Sequence, residues 1–438
     1  MKGMLAAALL LSASGALAEV KVFRNFTLID GTGKAPVADA ALVITDGRIT
    51  YAGPKSRMKA PAGAQVTDLS GKYIMPGIIN LHCHLGNVVG LTQDPKNFTR
   101  ENLRENLTTY ASYGVTAVQS MGSDQDLVYD LRAEQRAGRP AMTRIFSAGR
   151  GFTGKAGYPT AAPGMKGIPY EVDSVEDVTK AINDLAPKNP DIVKIWVDDH
   201  LGRERKIPMD LSGEIIRQAH ARKLRVAAHI YYLEDARGLV ERGLDALAHS
   251  VRDKPVDESF IALMKKRGAW QMAATLAREF STFTYASRPA WLDDPFFTRS
   301  VDKQTIATLK SDEYVNRMKA DPDLKHYQPM LEMAQKNLKR LVDAGVKFAF
   351  GTDTGPPARF LGYFEHLEME LMVQAGLTPM QVITAATRNS AEFLGAKDLG
   401  TLEAGKWADL IVLGKNPLDD IKNSRTIEAV YIAGNKAN

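Results

Sequence analysis

Met75-Pro76-Gly77-Ile78-Ile79-Asn80-Leu81-His82-Cys83-His84 is a short apolar run that closes on two histidines one residue apart. A run of this length and composition suits a strand buried on both faces, as in a parallel sheet covered by helices. Residues two apart on a strand point to the same face, so His82 and His84 aim one way and Cys83 the other. The expectation is two imidazoles facing a barrel interior and a cysteine packed against the helices outside it.

The pattern recurs along the chain. Short apolar runs at 77–81, 115–121, 144–148, 192–197, 225–229, 246–249, 270–275 and 347–351 make eight candidate strands, and amphipathic stretches such as 211–222 and 333–344 lie between them. Strands alternating with helices point to an α/β fold, and eight in series to a closed (β/α)8 TIM barrel. Residues 19–74 have a different texture, with strand-like pieces punctuated by turns such as Asp46-Gly47, and 400–438 repeat it around Gly414-Lys415-Asn416-Pro417. Neither segment has enough strands to bury an apolar face alone. The two are therefore expected to combine into a small β-sandwich domain, leaving 75–399 to the barrel. One connection, 276–335, is abnormally long and carries Phe280, Phe283, Tyr285, Trp291, Phe296, Phe297, Tyr314 and Tyr327. Segments of that length form lids or build helices of their own. A lid insertion over the site and an oligomer contact are both open.

A chain of 438 residues accommodates one barrel with insertions and one accessory domain. The net charge of +5 is spread along the chain and accompanies no nucleic-acid-binding motif, so nucleic acid is not an expected partner. Residues 1–18 read as a signal peptide: Lys2, an apolar stretch from Met4 to Leu11, and Ala16-Leu17-Ala18 as a small-residue cleavage site. That stretch is much shorter than the roughly 20 residues of a spanning helix. The expectation is a periplasmic or secreted protein with no membrane span. Cys83 is the sole cysteine, so no internal disulfide can form.

TIM-barrel active sites lie at the C-terminal mouth of the strands. There the first strand offers His82 and His84, the fourth Lys194, the fifth His229, the sixth His249, and the turn after the eighth Asp353. Four of the chain's eight histidines thus fall on one rim. Imidazoles and carboxylates at this density suit zinc or a similar divalent ion. Lys194 looks out of place, because an ammonium repels a metal. Burial beside cations drives a lysine toward its neutral amine, and a neutral amine can add carbon dioxide to become a carbamate, an anion.

These residues stand in Met75 to His84, Val193-Lys194-Ile195, Ala228-His229, Leu247-Ala248-His249-Ser250, Gly351-Thr352-Asp353-Thr354-Gly355 and Gly405-Lys406-Trp407-Ala408-Asp409-Leu410. In that order, from about Phe26 to the end, the chain resembles the amidohydrolase superfamily, in its imidazolonepropionase-like and prolidase-like (Xaa-Pro dipeptidase-like) branch of metal-dependent hydrolases. The resemblance implies two divalent ions. His82, His84 and Asp353 would hold one, His229 and His249 the other, with carboxylated Lys194 bridging them. It also implies an aspartate where this chain has Asn80, and a neutral amide orients an imidazole less strongly than a carboxylate.

Two ions about 3.5–4 Å apart can share a hydroxide at neutral pH, and Asp353 would then serve as general base and acid. No Gly-x-Ser-x-Gly elbow is present. Tyr231 matches a position where prolidase-like relatives have a tyrosine able to bond the substrate carbonyl; packing over the rim is the other reading. Arg359 could pair with a substrate carboxylate. His366 is expected to pack, and 151–167 to shape the pocket. The expected activity is hydrolysis of an amide in a small molecule, an Xaa-Pro dipeptide or an N-acyl amino acid with an apolar or aromatic group. A cyclic amide, lactone or phosphotriester would suit the same site, and a ligand-binding barrel without catalysis is the reading from another class. The sequence is compatible with a homo-oligomer.

Overall fold

The computed structural model describes residues 19–437, so the signal-peptide reading of 1–18 lies outside it. Among the described residues no helix is long and apolar enough to cross a membrane. The two ends of the chain meet in one domain. Strands Val20–Leu28, Val37–Thr45, Arg48–Pro54, Gln65–Asp68 and Tyr73–Pro76 join Leu410–Leu413, Ile427–Ile432 and Asn435–Lys436 in a single mixed sheet. Asp46 and Gly47 both take positive φ in the two-residue turn that pairs Thr45 with Arg48, the geometry a tight hairpin requires. A side chain at Gly47 would meet the Ala433 carbonyl at 2.2 Å, so the turn is also a close contact with the C-terminal strand. Phe23, Phe26, Leu42, Ile74, Leu410 and Val412 form the core of this domain from both segments. Tyr73–Pro76 pairs antiparallel with Leu410–Leu413 immediately before the first barrel strand, which fixes that strand's starting point.

The barrel strands are Ile78–Cys83, Val115–Ser120, Arg144–Ser147, Val193–Trp196, Val226–His229, Ala246–Leu247 and Trp270–Gln271, all pairing in parallel. The eighth, 347–351, makes too few regular bonds to count as a strand, yet it closes the ring. Gln271 N donates to Lys347 O (2.9 Å), Ala349 N to Gln271 O (3.0 Å) and Leu81 N to Phe350 O (2.9 Å). The seam between the third and fourth strands is held by Asp191 N to Ser147 O (2.8 Å) and by an extra strand, Phe152–Gly154, that pairs with Ile195. The first strand departs from simple alternation. Its pairing slips between Asn80 and Cys83, so Asn80 bonds into the helical layer at Glu365 while His82 turns to the site. A bulge re-aims side chains in this way. Cys83 is buried, its thiol directed at the Gln119 carbonyl.

The long connection is helical: Leu276–Thr284, Lys303–Lys310, Asp312–Lys319 and the first turns of Leu324–Asp343 fall in it. Its aromatic residues pack on each other and on helix Tyr363–Gln374, with Trp291 stacked on Tyr363 at 5.6 Å and edge-on to Phe297 at 5.0 Å. All but Tyr327, whose hydroxyl bonds Asp321, belong to or pack on the main apolar core, and none lines the cavity at the barrel mouth.

Candidate active site

Each of the four rim histidines has one ring nitrogen tied to the protein. His82 Nδ1 lies 3.0 Å from the Ala248 carbonyl oxygen, His84 Nδ1 2.8 Å from Ser123 Oγ, His249 Nδ1 2.9 Å from Thr275 Oγ1, and His229 Nε2 2.6 Å from Asp198 Oδ2. His82 Nε2 is 3.4 Å and His84 Nε2 2.9 Å from Asp353 Oδ1, and the His229 and His249 rings are 4.1 Å apart. One ligand atom each of His82, His249 and Asp353 lies within 4.8 Å of the other two. Lys194 Nζ reaches His82 Nε2 at 3.2 Å.

Backbone conformation supports the arrangement. Asp353 and Thr275 both take left-handed φ (62° and 58°), an uncommon state for any side chain and a strained one for β-branched Thr275. Gly355 follows at φ 109°, where a side chain would meet the His84 carbonyl at 1.9 Å, so only glycine lets the eighth-strand turn lie against the first strand.

Burial keeps the imidazoles neutral. It depresses His82, with the Lys194 charge adding to it, and likewise His84 and His249; it brings His229 down to about 3 against the opposing bond from Asp198. Burial also lowers Lys194 to about 7 despite the favourable charge of Asp353. For Asp353 burial pulls upward, but the Arg359 guanidinium and the hydrogen bond with His84 oppose it, and the carboxyl is held well below its usual range. Neutral imidazoles with one nitrogen anchored, an ionised carboxylate and a lysine poised to lose its proton form a donor set that fits a divalent cation. The buried His249 Nε2, which has no hydrogen-bond partner among the described residues, is the clearest sign of it.

A cavity of about 510 Å³ opens over these residues. His82, His84, His229, His249 and Asp353 line its floor; Val88, Leu91, Pro159, Met165, Trp196 and Pro357 give it apolar walls. Residues 158–165 supply one wall, so the glycine- and proline-rich segment 151–167 does shape the pocket. Arg359 lines it too, donating from Nη1 to Asp353 Oδ2 at 2.7 Å. Tyr231 is not among the lining residues: it is buried, edge-on to Tyr232 at 4.6 Å and beneath the Arg252 guanidinium at 4.8 Å, which is the packing its alternative reading expects. His366 spends both nitrogens inside the core, on Ser424 Oγ (2.8 Å) and the Tyr113 carbonyl oxygen (2.9 Å).

Several site residues escaped the sequence reading. Asp198 was within reach of it, because 194, 196 and 198 alternate onto one face. Arg278 enters from the helix after the seventh strand, its Nε 3.1 Å from Asp353 Oδ2, and no pattern marks it. Glu365 comes from helix Tyr363–Gln374. Its Oε1 accepts from Asn80 Nδ2 (2.6 Å), Thr352 Oγ1 (2.9 Å) and Thr354 Oγ1 (2.8 Å), and its Oε2 from Gly362 N (2.7 Å). Asn80 Oδ1 in turn accepts from His82 N at 2.9 Å. Asn80 therefore steadies the backbone of the first strand, and the His82 ring takes its orientation from the Ala248 carbonyl.

The amidohydrolase family model matches residues 73–437. The chain belongs to the amidohydrolase family. It is similar to ochratoxinase of Aspergillus niger, 28% identical over 94% of this chain and 85% of that protein. Imidazolonepropionase of Deinococcus radiodurans is 24% identical over 91% and 92%. A solved Xaa-Pro dipeptidase with bound methionine shares the fold at a TM-score of 0.73 and 21% identity, covering 95% of this chain and 99% of that one. As an amidohydrolase the chain is a metal-dependent hydrolase of carbon–nitrogen bonds.

Proposed function

We propose that this amidohydrolase cleaves the amide of an Xaa-Pro dipeptide or an N-acyl amino acid with an apolar or aromatic group, and that it does so outside the cytoplasm. The observation that carries the reading is the cavity itself, with four anchored imidazoles and Asp353 at its floor, Lys194 buried against His82, apolar walls, and a guanidinium at one side. Relatives named for an ochratoxinase and an Xaa-Pro dipeptidase support it.

In this reading His82, His84 and Asp353 would hold one divalent ion, zinc or a similar metal, His229 and His249 would hold a second, and Lys194 as its carbamate would supply a further anionic ligand. The metals, when bound, supply an activated water and polarise the scissile carbonyl. The protein does the rest. Ala248, Ser123, Thr275 and Asp198 fix the four rings, so no reorganisation is needed on binding. Val88, Leu91, Met165 and Trp196 exclude solvent around the substrate's apolar part. Asp353 takes and returns the proton at Oδ2, the oxygen that Arg278 and Arg359 now occupy. Arg359, one-fifth exposed, is the partner able to swing away to a substrate carboxylate, which leaves Arg278 as the remaining cation beside that oxygen as substrate binds. The test is a panel of Xaa-Pro dipeptides, N-acyl amino acids and lactones given to metal-loaded protein, with release of free amine as readout. Turnover of acylated apolar amino acids supports the reading; hydrolysis confined to lactones contradicts it.

A further inference from the structure

With Tyr231 buried under Arg252, the cavity still holds one tyrosine, Tyr158. Its ring sits 5.1 Å from the His229 ring and 5.8 Å from that of His200, on the wall formed by 158–165. Among the described residues nothing hydrogen-bonds its hydroxyl, although the charges of Arg278, Arg359, Asp353 and Asp198 all act on it. Tyr158 is half-buried on the cavity wall, so its O–H is open to a group that enters the cavity.

The backbone around it is pinned. Thr153 Oγ1 donates to the Tyr158 carbonyl oxygen at 2.5 Å, and Gly157 N donates to Gly154 O at 2.8 Å. Gly157 also bridges to Arg205 so closely that a side chain there would meet the Arg205 carbonyl at 2.6 Å. The tyrosine is thus placed by a tethered segment, the preorganisation that an oxyanion donor requires.

The structure assigns Tyr158 as the donor of a hydrogen bond to the scissile carbonyl oxygen, the role expected of Tyr231 on sequence grounds, and the assignment rests on the amide-hydrolase reading of the same site. The hydroxyl keeps its proton throughout. Burial raises its pKa above that of free tyrosine, so the O–H is intact at neutral pH and donates without transferring. The bond strengthens as negative charge collects on the carbonyl oxygen, so its effect falls on turnover more than on substrate affinity.

The experiment compares Tyr158→Phe with Tyr231→Phe on the best amide substrate of the wild-type enzyme, with metal content measured for each. Removing one oxyanion donor lowers kcat by about 10²–10³-fold, so Tyr158→Phe should lose about that much, with KM within about threefold and bound metal unchanged. Tyr231→Phe should stay within about threefold of wild type. A tetrahedral phosphonate analogue of the substrate should lose affinity for Tyr158→Phe by about the factor lost in kcat/KM. The proposal is overturned if Tyr158→Phe retains wild-type kcat, if its loss lies wholly in KM, or if the phosphonate binds both proteins alike. Those outcomes leave the amidase reading standing. A wild-type enzyme inactive on every amide overturns both.

Discussion

Replacing Glu365 by Gln reads out the buried carboxyl that ties the first barrel strand to the eighth. Burial raises this carboxyl from an ordinary 4.5 to about 7, against the lowering effect of the Thr354 and Thr352 hydroxyls. A group whose pKa is higher in the folded chain contributes stability that is complete below its unfolded pKa and lost as pH rises through the folded one. Between pH 4.5 and 7 the folded protein keeps a proton that the unfolded chain has released, which at about 1.4 kcal/mol per unit comes to about 3 kcal/mol. Glutamine does not titrate. It also turns an amide N–H toward Gly362 N, which now donates to Oε2, a fixed cost of roughly 1–3 kcal/mol for the unsatisfied group. Glu365→Gln should therefore be the less stable protein at pH 4.5, with the deficit shrinking by about 3 kcal/mol by pH 7.5. Glu368, raised to about 8 by burial, titrates in both proteins and largely drops out of the difference. Urea unfolding of the two proteins at equal metal content, across this range, measures it. Parallel stability curves would refute the reasoning, since they would mean that position 365 holds no carboxyl of raised pKa.

Three further outcomes are expected. Lys194→Ala should lose at least one metal and most activity, with partial rescue by short carboxylic acids that fill the vacated position; wild-type metal content and rate would count against the bridging role. Asp353→Asn should keep most of its metal while kcat drops by the upper part of the roughly 10²–10⁴-fold typical of general acid–base catalysis, and proportional loss of metal and rate would make it a ligand alone. Asp198→Asn should weaken metal binding by about 10–100-fold, as loss of a carboxylate behind a ligating imidazole does, measured by competition with a chelating dye; unchanged affinity would show that its bond to His229 is dispensable.

The barrel was legible because strands buried on both faces leave unbroken apolar runs, and the candidate site because His82, His84, His229, His249 and Asp353 sit at or just past the ends of those runs, with Lys194 a lone charge inside one. What sequence could not carry was contact across long separations. The slip at 80–83 sends Asn80 outward to Glu365, 285 residues away, whereas plain alternation would have put it on the His82 face. Tyr158 stands in a segment without periodicity, and Arg278 at the start of a helix whose packing alone brings it to Asp353. Tyr231 shows the converse limit: two residues beyond a rim histidine, it is carried under Arg252 by the turn that follows the fifth strand.

The most direct test of the central claim is amide hydrolysis followed while metal is returned to chelated protein, with bound metal counted per chain. The account predicts no hydrolysis of N-acyl amino acids or Xaa-Pro dipeptides after chelation, and activity that rises with added zinc, manganese or cobalt to a plateau at about two ions per chain. Undiminished amide hydrolysis in metal-free protein, or two bound ions with no hydrolysis of any amide, would contradict it.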